Sequence, residues 1–542
     1  IQGNGAISVS GGPGILLSGS NTFSGGITLN SGVLRFGHNH AMGTGPMTFN
    51  GGKVDVLSTR TTSNQNPQTW GGDFSFLGTA TWNTGTGAVT LAGNRTLTVA
   101  ASTLTVSGPI DDGANTYSLT KSGAGNLVLT GTNTYGVGTV LNDGELGINS
   151  GRVLGSGTLT INGGILNNST SLAVSNVNNN AQIWNGNFTY PARSSLHLGS
   201  GDVALNGSIT ITNPYSIYGG ILTVSGTIDD GVNSYGLTFG GINGCLALAG
   251  ANTYDGGTIL TGGKLHINHA QALGAGALTI NGGQIDNYSG ATISNANNNA
   301  QFWNGDFSHY GHATLHMGAG PVTLGASLVL TAYNNLMSVS GVMDDGVNSF
   351  SLTKAGNGTL ALGGDNTFDG GVILNAGALQ FDHAGALGPG PLTINGGQFR
   401  CEVTGGLSNA NNNVQFWNGD FELAGGKPYH LGVGPVTLSK TCVVGPMYTT
   451  LTVGGVIDDG GHGYGLTKSR ANILKLTGMN TYRGDTIIPT GTLALAESGS
   501  IANSATILVT DPGILSVLER TDKALYIGSG KAVAGSGTVL GQ

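Results

Sequence analysis

Gly244-Cys245-Leu246-Ala247-Leu248, Lys264-Leu265-His266-Ile267 and Gln284-Ile285-Asp286 decide the fold, because the same short run returns about every 20 residues. In each run a large apolar residue alternates with a variable one, the mark of a half-buried strand. A return of ~20 residues is the length of one β-solenoid coil, whereas a propeller blade needs about 40. Gly-Gly, Asn-Gly, Asp-Gly and Ser-Gly steps separate the strands and supply tight turns. At a rise near 4.8 Å per coil, 542 residues predict about 27 coils and a rod on the order of 130 Å.

Outward from these runs, the strands fall into slots that recur through the chain. Leu34-Arg35-Phe36, Leu146-Gly147-Ile148, Leu265-His266-Ile267 and Leu379-Gln380-Phe381 fill one slot. Met47-Thr48-Phe49, Leu159-Thr160-Ile161, Leu278-Thr279-Ile280 and Leu392-Thr393-Ile394 fill a second, and Leu127-Val128-Leu129, Leu246-Ala247-Leu248, Leu360-Ala361-Leu362 and Leu474-Lys475-Leu476 a third. Three landmarks share the longer period of about 115 residues: Asn-Thr-(Phe/Tyr) from Asn21, Asn133, Asn252, Asn366 and Asn480; a Trp-Gly/Asn-Gly motif from Trp70, Trp184, Trp303 and Trp417; and Asp-Asp-Gly from Asp111, Asp229, Asp344 and Asp458. Nested periods of this kind mean a repeat architecture. The expected class is all-β, a right-handed parallel β-helix (β-solenoid) with super-repeats of about 115 residues. The expected segments are a partial repeat and stacking end over 1–20, four blocks over 21–132, 133–251, 252–365 and 366–479, and divergent coils with a second stacking end over 480–542.

Composition narrows the function classes. Glycine supplies 99 residues without a Gly-X-Y period, which excludes collagen, and 38% apolar residues in periodic order exclude a disordered tail. The net charge is −8 and the 19 basic residues are scattered, so no clustered basic face meets nucleic acid. No window approaches 18 uninterrupted apolar residues, the length of a membrane-spanning helix. The start at Ile1, with no signal-like segment, suits a processed product or a fragment. Cys245, Cys401 and Cys442 are too few for a disulfide framework and read as buried thiols.

The segment from Leu119 to Tyr135, Leu-Thr-Lys-Ser-Gly-Ala-Gly-Asn-Leu-Val-Leu-Thr-Gly-Thr-Asn-Thr-Tyr, resembles the passenger-associated transport repeat, also called the autotransporter-associated β-strand repeat. Leu352 to Phe368 and Leu466 to Tyr482 match as well, the latter departing at Ser469-Arg470-Ala471-Asn472. Leu237 to Tyr254 is looser, with Phe239 in place of lysine. The resemblance covers about 30 residues in each block. It implies a secreted right-handed β-helix on a bacterial surface, and it supplies no catalytic residue. The run of amphipathic strands that forms an autotransporter barrel does not follow the repeats.

A β-helix exposes unpaired backbone groups at its ends, and neither end shows a capping helix. Ile1, Ala6, Ile7 and Val9 at one end, with Val539, Leu540 and Gln542 at the other, read as complementary stacking surfaces. Heterologous contacts that do not close generate filaments, so the expected partner is the chain itself, head to tail.

Candidate chemistry is sparse. Asp111-Asp112, Asp229-Asp230, Asp344-Asp345 and Asp458-Asp459, with nearby Asn and Ser oxygens, are hard ligands suited to Ca²⁺, while Asp-Gly is also an ordinary turn dipeptide. The turn is the favoured reading and no cofactor is expected. Trp70, Trp184, Trp303 and Trp417 would present platforms for surface glycans if exposed and fill the core if not. The runs Asn178-Asn179-Asn180, Asn297-Asn298-Asn299 and Asn411-Asn412-Asn413 read as corners satisfying local backbone. His309, His312 and His316 form an array found only in the third block; His316 shares an outward slot with His197 and His430, and no partnering Cys or carboxylate cluster is evident. A polysaccharide-active enzyme would need one unique cluster of Asp, Arg and Lys, which the sequence does not show. The expected function is a non-enzymatic extracellular or bacterial surface solenoid that polymerises into a filament or sheath. The alternative is an adhesin-like passenger rod binding cells or glycans.

Overall fold

The computed structural model describes residues 1–215 and 219–541. Regular structure among them is β-strand only, paired in parallel, so the chain is the expected parallel β-solenoid. Its packing falls into two compact units, Ile1–Gly276 and Ala277–Gln542.

In the first unit Ile7–Val9 pairs with Ile27–Leu29, which pairs with Met47–Phe49, each in register with the next. Leu196, Leu222, Leu246 and Leu265 sit one above another in successive coils, as the 20-residue return of Leu246 and Leu265 predicts. In the second unit the corresponding column runs Leu315, Met337, Leu360, Leu379, Phe399 and Leu423. These side chains are fully buried. Each contributes about 1.5–3 kcal/mol by leaving water, and parallel ladders hold the register that keeps them inward.

The solenoid makes about 24 turns, fewer than the expected 27. The reason is that coils come in two kinds. Two-strand coils close in about 20 residues, as where Leu127 pairs with Leu146. Three-strand coils carry a third strand and a longer turn, as where Leu196 pairs with Leu222 and Ile211 with Phe239. At one turn adjacent coils approach so closely that only glycine fits: a Cβ on Gly341 would collide with the Gly320 carbonyl oxygen, and one on Gly364 with that of Gly341.

Candidate functional site

The interior of the repeats carries recurring polar side chains, and they bond to backbone groups or to one another. Strand alternation puts Lys121 on the same face as Leu119. Its Nζ donates to the carbonyls of Ser122 (3.1 Å), Gly123 (2.6 Å) and Asp143 (2.9 Å). Lys354 and Lys468 repeat this three-carbonyl clip. Burial pushes all three ammonium groups down to about 8, against the pull of Asp143 and Glu145 at Lys121. In the second block Phe239 fills the slot with a buried ring and no clip.

The asparagine of Asn-Thr-(Phe/Tyr) bridges coils. Asn133 accepts from Ile110 N (2.8 Å) and donates to Val153 O (2.6 Å). Asn252, Asn366 and Asn480 do the same with their own neighbours. The hydroxyls of Tyr135, Tyr254 and Tyr482 each meet a buried threonine hydroxyl at 2.6 Å, and burial raises their pKa.

The four tryptophans are not glycan platforms. Trp70, Trp184, Trp303 and Trp417 are buried, because Gln-x-Trp places glutamine and indole on the same inward face. Each indole N–H donates to that glutamine at 3.1–3.2 Å. A phenylalanine four residues on packs edge to face at 4.8–5.2 Å.

The Asp-Asp-Gly carboxylates organise turns. The first aspartate caps the following glycine, as in Asp111 with Gly113 N (3.1 Å) and Asp344 with Gly346 N (2.8 Å). The second is buried and accepts backbone N–H groups from two coils: Asp112 from Tyr117 (2.8 Å) and Gly136 (2.8 Å), Asp230 from Tyr235 (2.8 Å) and Asp255 (3.3 Å). Asp345 and Asp459 do likewise, and Asp229 and Asp458 also hold the Thr253 and Thr481 hydroxyls. The Thr253 and Gly231 bonds hold Asp229 below the usual carboxylate range. At Asp459 burial pushes up, and four backbone donors, those of Gly461, Arg483, Gly463 and Asp459 itself, outweigh it. Among the described residues no group of three or more His, Cys, Asp or Glu side chains is placed to hold a metal ion.

Asn180 donates to Gly157 O and Asn413 to Gly390 O, so the Asn runs serve local backbone as expected. A longer pattern passed unnoticed in the sequence: Asn142, Asn162, Asn185 and Asn206 bond side chain to side chain at 2.6–2.7 Å along one corner. Their signal was an asparagine just after a strand in each coil. The three cysteines are buried and none is in a disulfide.

At the ends, Ile7–Val9 pairs with Ile27–Leu29 and Thr538–Leu540 with Ile514, Leu515 and Ser516. Ile1, Ala6, Val539 and Leu540 are exposed, Ile7 is half-buried and Val9 is buried; Gln542 lies outside the described residues.

The histidine array is divided. His316 sits half-buried against the Ser338 hydroxyl, as a surface strand residue does. His309 and His312 gather instead around Asp286, a partner the sequence reading did not foresee because it lies one coil earlier. Asp286 is fully buried. Its Oδ1 accepts from the backbone N–H of Asn287 (2.9 Å), Gly311 (3.1 Å) and His312 (3.2 Å), and its Oδ2 binds His312 Nδ1. His309 Nδ1 lies 3.9 Å from Oδ1, and burial lowers its pKa against the carboxylate's pull. The His312 ring stacks on Tyr310 at 4.6 Å and meets the edge of Tyr288 at 4.4 Å, and Tyr310 lies 5.8 Å from Tyr333.

The buried lysine clip, the bridging asparagine and the strand between them recur as one unit, and comparison with known proteins identifies it. The Passenger-associated-transport-repeat pattern matches residues 15–36, 119–148, 243–267, 352–381 and 466–495. The chain carries five passenger-associated transport repeats. The match at 15–36 adds a copy, Ile15 to Phe36, that spans the expected boundary between the partial repeat over 1–20 and the block from 21. The chain is also 28% identical over 559 aligned positions to the adhesin BmaC autotransporter of Brucella suis biovar 1 (strain 1330). The match takes in 96% of this chain and 14% of that protein, so the chain spans a small part of its relative's length. No solved structure matches.

Proposed function

We propose that the chain is a segment of a surface-displayed, adhesin-like passenger: a non-enzymatic solenoid whose repeats build a scaffold and whose outward residues make contacts. The observation that carries this reading is the use of the repeats' polar groups. Lys121, Asn133, Tyr135 and their counterparts are buried on backbone groups or on a threonine hydroxyl, which suits a scaffold. Similarity to an autotransporter adhesin agrees with display outside the cell.

Displaying residues 1–542 on a non-adherent bacterium through a neutral barrel tests it. Adherence to epithelial cells should exceed that of cells displaying an unrelated solenoid; equal adherence would overturn the reading. A head-to-tail homopolymer is a second, separate proposal resting on the open strand edges at Ile7–Val9 and Thr538–Leu540. Any piece of a solenoid has such edges, so it ranks behind. Negative-stain images at rising concentration decide it: fibres support it, and separate particles remove it.

A further inference from the structure

Tyr288, Tyr310 and Tyr333 stand in three successive coils of the second unit, each about half exposed: 50%, 44% and 48%. With His312 they form one run of rings. The spacing from ring to ring is 4.4 Å from Tyr288 to His312, 4.6 Å on to Tyr310 and 5.8 Å on to Tyr333. Asp286 fixes the middle of the run by holding both the backbone N–H and the ring of His312. Asn334 and Asn335 donate to the carbonyls of Tyr310 (3.0 Å) and Gly311 (2.7 Å) and so fix the next coil against it.

The shelf is specific to this block. The strand register places Ser169, Pro191, Arg193 and Pro214 at the same positions in the second block, and Glu402, Ala424, Gly426 and Met447 in the fourth. The three tyrosines stand exposed side by side, and a contiguous exposed aromatic patch is a contact surface.

We infer that this shelf binds a neutral oligosaccharide chain, with successive sugar rings laid on Tyr310 and Tyr333. The C–H face of a pyranose is apolar and weakly positive and fits the negative face of an aromatic ring, while tyrosine hydroxyls and the flanking amides of Asn334 and Asn335 meet sugar hydroxyls. Charge sets the class. No lysine or arginine stands between Lys264 and Lys354, so a sulfated or phosphorylated ligand finds no counter-ion on this stretch. The rigid anchoring of the His312 loop keeps the rings pre-ordered, which lowers the entropy lost on binding. The inference deepens the adhesin-like reading and rests on it for its biological setting.

The test titrates the full chain with neutral hexasaccharides of glucose, N-acetylglucosamine, galactose and mannose, and with a heparin hexasaccharide, by calorimetry. At least one neutral hexasaccharide should bind. Tyr310→Ala and Tyr333→Ala should each weaken it about tenfold, and Tyr310→Phe should stay within about threefold, because the ring carries the contact. Tyr448→Ala, which removes an exposed tyrosine outside the shelf, should change nothing. Binding of heparin alone, of no sugar, or equally by Tyr310→Ala would overturn the inference. The display assay separates the two readings. If cells adhere and the shelf variants adhere equally, the shelf falls and the adhesin reading stands. If cells do not adhere but the hexasaccharide binds through Tyr310, the shelf stands alone.

Discussion

Asp55 in the first unit and Asp286 in the second occupy the same slot of the solenoid, set by the pairs Lys53–Ser75 and Gln284–Ser308. Both are buried, and both clamp the turn that follows in the next coil. Asp55 accepts from Val56 N (3.0 Å), Thr79 N (3.0 Å) and Thr79 Oγ1 (2.8 Å). Asp286 accepts from Asn287 N, from His312 N and from the His312 ring. Threonine and histidine thus perform one task. Around them, Leu57, Leu77 and Ala100 stand where the second unit has Tyr288, Tyr310 and Tyr333. At Asp55 the clamp is built without any of these rings.

Removing the carboxylate should break both corners alike and most severely. Asp55→Ala and Asp286→Ala each leave two or three buried or partly buried N–H donors without their acceptor, at a cost of about 3 kcal/mol. Hydrogen exchange should show the amides of Thr79 or His312 losing protection first. Intact protection in either variant would mean that the clamp is not what holds its turn.

The turn itself supplies the next effect. Gly78 and Gly311 sit at φ 75° and 77°, in the left-handed region. A Cβ on Gly311 would also crowd Asn335 N, so Gly311→Ala should cost about 1–2 kcal/mol. At the equivalent position of the second block Ala192 tolerates φ 53°. A loss below about 0.5 kcal/mol in Gly311→Ala would show that the turn relaxes as it does there.

Lys121 and Lys354 lie three coils beyond the Asp55 and Asp286 coils, and they should respond to pH in the same way. Burial lowers each from the ordinary 10.5 to about 8. Between those values the unfolded chain holds the proton and the folded chain does not, so stability rises as pH climbs from 8 toward 10.5. Above pH 10 the slope reverses, because Tyr135 and Tyr254 keep their protons in the fold and lose them on unfolding. The rise should vanish locally in Lys354→Met. A flat profile between pH 8 and 10 in the native chain would mean that burial does not lower these ammonium groups.

Much of this was legible in the sequence, and the exceptions have physical causes. Alternation placed Leu246 and Leu265 inward and their ~20-residue return gave the coil. The same alternation puts Trp303 on the inward face with Gln301, so its burial was readable from parity alone. The count of coils failed because the three-strand coils are longer than 20 residues, as in the steps from Leu196 to Leu222 and from Ile211 to Phe239. Asp286 was missed because its partners lie 25 and 26 residues ahead, and only a coil length matched to this turn brings them together. The exposed tyrosines obey no repeat, and departure from the repeat was itself their signal.

The exchange of histidine for threonine gives the smallest change in stability and the sharpest test of the comparison. In His312→Thr the hydroxyl can reach Asp286 as Thr79 reaches Asp55, so the clamp survives and stability should move by no more than about 0.5 kcal/mol. What goes is the ring between Tyr288 and Tyr310. If the corner is a scaffold with a contact surface laid over it, His312→Thr should melt with the native chain and bind the neutral hexasaccharide several-fold more weakly. If stability falls as far as in Asp286→Ala, the rings belong to the clamp, and the two corners are different structures sharing one carboxylate.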